Sequence, residues 1–289
     1  MDIMFFVGAL TFLILAPILG GLLTGCDRVL TARFQSRVGP PFLQPFYDVA
    51  KLWHKEKAFS NPVEFIFTTA YLVLIAFSGS MVATGGNFLF AIFSLALAHT
   101  FLILAAYAAN APYSNIGAER ELLSVMITEP ILILLAVGFF MVSGSFETYH
   151  MMTLGFPGII YLPGVFIALI AVLTLKFRKS PFDISTSHHA HQELVKGVTS
   201  SLSGRSLAKV EIAHWYELLI FLGMIFFFFG GDPLLSGLAV VLAFLLEIVI
   251  DNIFPRVTWK MTVKSLWLVT LVFGVGNIVI LGILGGIVL

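Results

Sequence analysis

Cysteine is almost missing from this chain: Cys26 is the only one. One thiol cannot close an internal disulfide or supply the four thiolates that an iron-sulfur cluster usually takes, so any redox centre must sit on another chain. Charge is scarce as well. Asp, Glu, Lys and Arg make up 11% of the 289 residues, and sixteen Lys and Arg balance sixteen Asp and Glu. That balance leaves no basic excess to hold nucleic acid and no acidic tail. Gly-rich phosphate loops, nucleophile elbows, zinc-peptidase signatures and dinucleotide fingerprints are absent too, so nothing suggests that the chain makes or breaks bonds alone. No internal repeat is visible, and with it goes the inverted-repeat plan of many transporters.

What is abundant is apolar. With 59% hydrophobic residues and a mean hydropathy of +1.01, the sequence reads as an all-α integral membrane protein, a single polytopic domain over 1–289. A helix needs about 20 apolar residues to cross the hydrocarbon, and eight such stretches occur, at roughly 3–25, 64–84, 88–109, 122–143, 158–176, 212–231, 233–250 and 265–289. The sixth and seventh are parted only by Gly230-Gly231-Asp232-Pro233. The first lacks a positive n-region and outruns a signal-peptide core, so it is expected to stay in the mature protein.

The distribution of cations gives the topology. Arg28, Arg33, Arg37, Lys51, Lys55 and Lys57 fall in the first connection and Arg120 in the third. Lys176, Arg178, Lys179, Lys196, Arg205 and Lys209 fall in or beside the fifth, and Arg256, Lys260 and Lys264 in the seventh. Every cation is thus on an odd connection, and the positive-inside rule puts those connections, about 26–63, 110–121, 177–211 and 251–264, in the cytoplasm and both termini outside. Trp53, Trp215, Trp259 and Trp267 fall in or next to the same connections, as headgroup anchors would. Within the first connection, Phe42, Phe46, Val49 and Trp53 are spaced 4, 3 and 4. That pattern predicts an amphipathic helix lying on the bilayer or against a partner.

Acidic residues inside apolar stretches are costly, about 2.5–3.5 kcal/mol for Asp at a helix centre, and are usually functional or paired. Glu129 lies within the fourth stretch and is followed by Pro130, which frees a backbone carbonyl one turn earlier. It reads as a proton relay or as a hydrogen bond to a neighbouring helix. Glu247, near the end of the seventh stretch, reads as a relay or as a group reaching back to the interface. His214 and Glu217 share a helix face, so they can exchange a proton or satisfy each other. The fifth connection carries Pro181-Phe182-Asp183 and Ser187-His188-His189-Ala190-His191-Gln192-Glu193. Its histidines would suit metal binding, proton exchange or docking, but adjacent residues point in different directions and no cysteine joins them.

Several of these segments carry a resemblance. Asp27-Arg28 through Arg33, Gln35, Arg37 and Gly39-Pro40, then Leu43-Gln44-Pro45 and Asp48, Lys51 and Lys55-Glu56, resemble the first cytoplasmic loop of the NuoH subunit of respiratory complex I. Gly117-Ala118-Glu119-Arg120 leading to Glu129, Pro181-Phe182-Asp183, and Glu193-Leu194-Val195 with Ser203-Gly204 resemble three further motifs of that family in the same order. Two departures stand out: a shorter stretch between Gly39-Pro40 and Leu43, and His188-His189-Ala190-His191-Gln192 where an acidic run is usual. The second resembles the membrane-anchoring subunit of energy-converting group 4 [NiFe] hydrogenases, the EchB type shared with the HycD subunit of formate hydrogenlyase.

That resemblance implies a prokaryotic inner-membrane subunit that binds no cofactor itself. Its implied partners are the large and small subunits of a peripheral [NiFe] hydrogenase, a ferredoxin-like subunit and an antiporter-like membrane subunit, with the nickel-iron centre and iron-sulfur clusters on those chains. Electrons from ferredoxin would form hydrogen while protons or sodium ions cross the membrane. Arg28, Arg33, Gln35, Arg37, Gln44, Asp48, Lys51, Lys55, Glu56, Arg120, His188, His189 and His191 would form the docking face. Asp183, Glu193, Glu121, Glu217, His214, Glu129 and Glu247 would form the proton path, and Glu129→Gln should uncouple hydrogen formation from pumping. The alternatives are a quinone-chamber component of a complex I-type NADH dehydrogenase, a formate hydrogenlyase component, a free-standing cation transporter and a purely structural anchor.

Overall fold

A computed structural model of the chain describes residues 2–55, 62–182 and 196–284. Among them the structure is helical, with no strand beyond one isolated bridge between Asn87 and Glu147. Eleven helices follow in order among these residues: α1 (Asp2–Phe34), α2 (Gln44–His54), α3 (Pro62–Ala83), α4 (Phe88–Ala108), α5 (Pro112–Ser143), α6 (Thr148–Met152), α7 (Pro163–Lys176), α8 (Gly204–Phe227), α9 (Pro233–Ile253), α10 (Trp259–Val269) and α11 (Gly276–Ile283). A π-helical segment, Thr270–Val275, joins the last two into one rod. Short 3₁₀ turns stand at Gly158–Ile160 and Gly197–Thr199.

Among the described residues, seven helical units are long and apolar enough to cross a membrane, against the eight expected. The odd one is α7, whose 14 residues span only about 21 Å at 1.5 Å per residue, short of the roughly 30 Å of hydrocarbon. The start of the predicted stretch forms the 3₁₀ turn Gly158–Ile160 instead, and α-helix begins only at Pro163. The side chain of Asn277 then caps α7 from another helix. Its Oδ1 accepts from Gly164 N (2.9 Å) and Val165 N (3.2 Å), and its Nδ2 donates to Tyr161 O (3.0 Å). Other ends follow local chemistry: Asn87 Oδ1 caps α4, Asp232 Oδ1 caps α9 before Pro233, and Gly144 closes α5 at φ +73.

The expected surface helix is α2, but it does not lie on lipid alone. It packs on α1 and α8, with the Phe46 ring 5.2 Å from that of Trp215. Trp215 is therefore 5% exposed rather than a headgroup anchor. Two cations assigned to the fifth connection are helix-borne and buried: Lys176 ends α7, and Lys209 lies in α8, donating to Thr69 Oγ1 (2.5 Å) over the face of Phe65. Deep in the bundle, Phe88, Phe139 and Phe227 meet edge to face and are fully buried.

Candidate functional site

Polar side chains from several helices converge inside this apolar frame. α8 places His214 and Glu217 one turn apart, with His214 Nδ1 3.4 Å from Glu217 Oε2 and 3.3 Å from the hydroxyl of Tyr71 on α3. α4 brings His99, whose Nε2 is 3.0 Å from Glu217 Oε1 and whose Nδ1 is 3.6 Å from Glu121 Oε1 on α5. Lys176, the last residue of α7, completes the group: its Nζ is 2.9 Å from His99 Nε2 and 3.5 Å from Glu217 Oε1. His99, Glu121, Lys176 and Glu217 are all buried. Ions this deep persist only where they compensate one another, because each alone would carry a large desolvation cost.

A cavity of about 320 Å³ runs from this group toward the odd connections. Its walls include Asp27, Arg28, Lys176, Arg178, Lys179, Glu211, His214, Glu217 and Asp251. Just beyond α7, burial works against the charge of the Arg178 guanidinium, but Glu121, then Tyr71, Glu217 and Glu211, outweigh it and raise its pKa. The far wall is tied together: Lys179 Nζ meets Asp27 Oδ1 at 2.6 Å, and Asp251 Oδ1 accepts from Ser180 N at 2.8 Å. Arg256 Nε donates to Ser180 Oγ at 3.2 Å. A side chain at Gly117 would collide with the backbone of Gly197 and Val198, so a glycine lets the fifth connection sit directly on α5.

The structure brings together three of the acid-base residues expected from sequence, Glu121, His214 and Glu217. It sets Glu129 apart: eight residues along α5 from Glu121, about 12 Å of rise, half-buried and without a hydrogen bond to any described residue. Glu247 does not reach back to the interface. It is fully buried on α9, with Thr174 of α7 and Lys179 near it and neither oxygen hydrogen-bonded among the described residues. Asp183, Glu193, His188, His189, His191 and Glu56 lie outside the described residues. Sequence reasoning missed His99, Lys176, Tyr71 and Arg178 as members of this group.

On the expected docking face, several groups bond within the chain. Arg28 pairs with Asp48 at 2.7 Å, Gln44 donates to the same carboxylate at 2.8 Å, and Gln35 joins Arg37 to Asn252. Arg120 lies over the Trp259 ring. Arg33, Lys51 and Lys55 are exposed. Among the described residues no group of three His, Cys, Asp or Glu is placed to hold a metal ion.

Comparison with known proteins matches this architecture. The chain is 28% identical over 222 residues to hydrogenase-4 component C of Escherichia coli (strain K12), covering 72% of this chain and 67% of that protein. It is 28% identical over 248 residues to a subunit of the NADH-quinone oxidoreductase of Aquifex aeolicus (strain VF5), covering 74% and 73%. A solved chain from the membrane-bound sulfane sulfur reductase, an archaeal respiratory membrane complex, superposes with a TM-score of 0.84 at 26% identity, covering 95% of this chain and 99% of that one. The resemblance to NuoH and to hydrogenase membrane subunits is thereby borne out, and the chain is a multi-pass membrane protein. The family model for NADH dehydrogenase spans residues 7–282, so the chain belongs to that family.

Proposed function

We propose that this chain is the membrane subunit that couples electron transfer in a peripheral oxidoreductase module to proton movement, in a complex of the energy-converting hydrogenase type. The observation that carries the reading is the charged cavity ending on Glu217 and Lys176, both of which meet His99. Charged groups on several of its walls suit water and protons. A change of charge at the cytoplasmic face would alter the proton affinity of that group through a low-dielectric interior, where one pKa unit corresponds to about 1.4 kcal/mol. Nickel-iron and iron-sulfur centres on partner chains would carry the electrons, with ferredoxin as donor, and Arg33, Lys51 and Lys55 are exposed to meet acidic groups on such a partner. Glu129, farther along α5, would take the proton on. The similarity to hydrogenase-4 component C supports the hydrogenase form of this reading.

The test replaces Glu217 by Gln in the intact complex, reconstituted in sealed vesicles and driven by a reduced viologen. Assembly and electron transfer should persist while proton translocation per electron falls about a hundredfold, within the range expected when a positioned acid-base group is removed. Unchanged translocation would overturn the reading.

A further inference from the structure

We infer that the ring of His99 is the element that passes the proton across the bundle, from the cavity wall formed by Lys176 and Glu217 to Glu121 on α5. This rests on the coupling reading above and names the group that performs its central transfer.

The argument begins with a conflict of donors. A lysine ammonium only donates, and Lys176 Nζ lies 2.9 Å from His99 Nε2, so that ring nitrogen accepts and carries no hydrogen. A neutral ring must then hold its hydrogen on Nδ1, which faces Glu121 Oε1 at 3.6 Å. Glu217 Oε1, 3.0 Å from Nε2 and 3.5 Å from Lys176 Nζ, is buried without a hydrogen bond among the described residues, as expected where Nε2 carries no hydrogen. The ring thus sits between the Lys176 ammonium at 2.9 Å on one side and the Glu121 carboxylate at 3.6 Å on the other.

The transfer balances without any other reactant. Lys176 gives a proton to Nε2, the Nδ1 proton leaves for the Glu121 carboxylate across a gap that a small side-chain rotation or one water closes, and the ring remains neutral. In the new tautomer Nε2–H points at Glu217 Oε1, so the oxygen that had no hydrogen-bond partner gains one. The neutral Lys176 amine, which lines the cavity, is then reprotonated from it. Tyr71 and His214 adjoin Glu217, and Arg178 acts on Glu121 from beyond α7. Together they hold the charge of the two carboxylates while the proton passes.

The experiment uses the intact complex in sealed vesicles with reduced viologen as electron donor and a pH-sensitive dye as the readout of translocation. His99→Gln and His99→Asn each keep an amide near one ring nitrogen but cannot pass a proton through. Both should assemble, transfer electrons and translocate protons about a hundredfold less per electron. Added imidazole should restore translocation in His99→Ala, which a merely structural role would not allow. On the unaltered complex, histidine-selective ¹⁵N labelling should show a neutral-ring band moving from the Nδ1–H to the Nε2–H form in infrared redox difference spectra. Normal translocation in both amide variants, or no such band, overturns the inference. If Glu217→Gln stops translocation while the His99 variants do not, the relay is wrong and the coupling reading stands. If none of these variants alters translocation, both fall.

Discussion

At the scale of the residue, the most informative group is a buried acid that has Thr174 and Lys179 near it but closes a hydrogen bond to neither. Glu247 is fully buried, and neither carboxylate oxygen has a hydrogen-bond partner among the described residues. Leaving a buried polar group unsatisfied costs about 1–3 kcal/mol, so an apolar replacement of similar shape should stabilise the fold. Glu247→Met is expected to raise the thermal midpoint of the purified complex by a few degrees, on the scale of roughly 2–4 °C per kcal/mol for larger domains. A fall in the midpoint, followed by intrinsic fluorescence, would show that the carboxyl is held by a partner and is structural. The sequence exposed Glu247 because an acid in an apolar run is conspicuous. It hid Lys176 and His99 for opposite reasons. Lys176 sits where an apolar run meets a polar connection and reads as a loop cation until α7 is seen carrying it inward. His99 is a single neutral-looking ring in a span of high hydropathy, although a lone titratable group in such a span was itself the available signal.

At the scale of the element, α2 shows what periodicity can and cannot tell. The 4, 3, 4 spacing revealed an amphipathic helix, but not that α1 and α8 would receive it. The seat depends on Gly21, where any side chain would strike the Phe46 ring, and on Gly25, where it would strike the Phe42 carbonyl. A latch fastens the exposed side. Burial pushes the Asp48 carboxyl up, yet hydrogen bonds from Arg28 and Gln44 outweigh it and hold its pKa below the usual carboxylate value. A carboxyl lowered on folding stabilises above its unfolded value, about 3.9, and loses that contribution as pH falls through its folded value. The pair is surface-exposed, so the effect is modest. At pH about 7, Asp48→Asn should exchange the amide hydrogens of α2 faster than the unaltered chain. The gap between the two should close as the pH falls through the lowered folded value and the native carboxyl protonates. Matched hydrogen-exchange measurements check this, and equal rates at neutral pH would mean that the latch carries no stability.

At the scale of the whole molecule, one arrangement follows from placing the cations on only one side of an apolar frame. The connections α3–α4, the turn between α5 and α7 that includes α6, and α8–α9 hold no Lys or Arg. The first two of these turns are stitched to each other, with Phe88 N donating to Phe146 O at 2.7 Å and Thr148 N to Gly86 O at 2.9 Å. The cavity lies at the opposite end, among Asp27, Arg28, Arg178 and Asp251. Hydropathy foresaw this polarity because cation placement survives errors of helix length: α7 is shorter than a full span, yet its two ends still lie in connections of different parity. Convergence of side chains from α4, α5, α7 and α8 was beyond its reach, since pairing across four helices leaves no periodic trace in one dimension. The positive-inside rule therefore makes an expectation the single cysteine allows to be tested cleanly. In a Cys26→Ala background, Val38→Cys in the first connection, where Val38 is 93% exposed, should react with a membrane-impermeant maleimide only from the cytoplasmic side. Tyr149→Cys in α6, 61% exposed, should react only from the opposite side. Labelling both positions in spheroplasts and in inverted vesicles reads the orientation directly. The reverse pattern would place the cavity's charged mouth away from the cytoplasm, where no reduced donor reaches it, and the coupling reading would lose its partner.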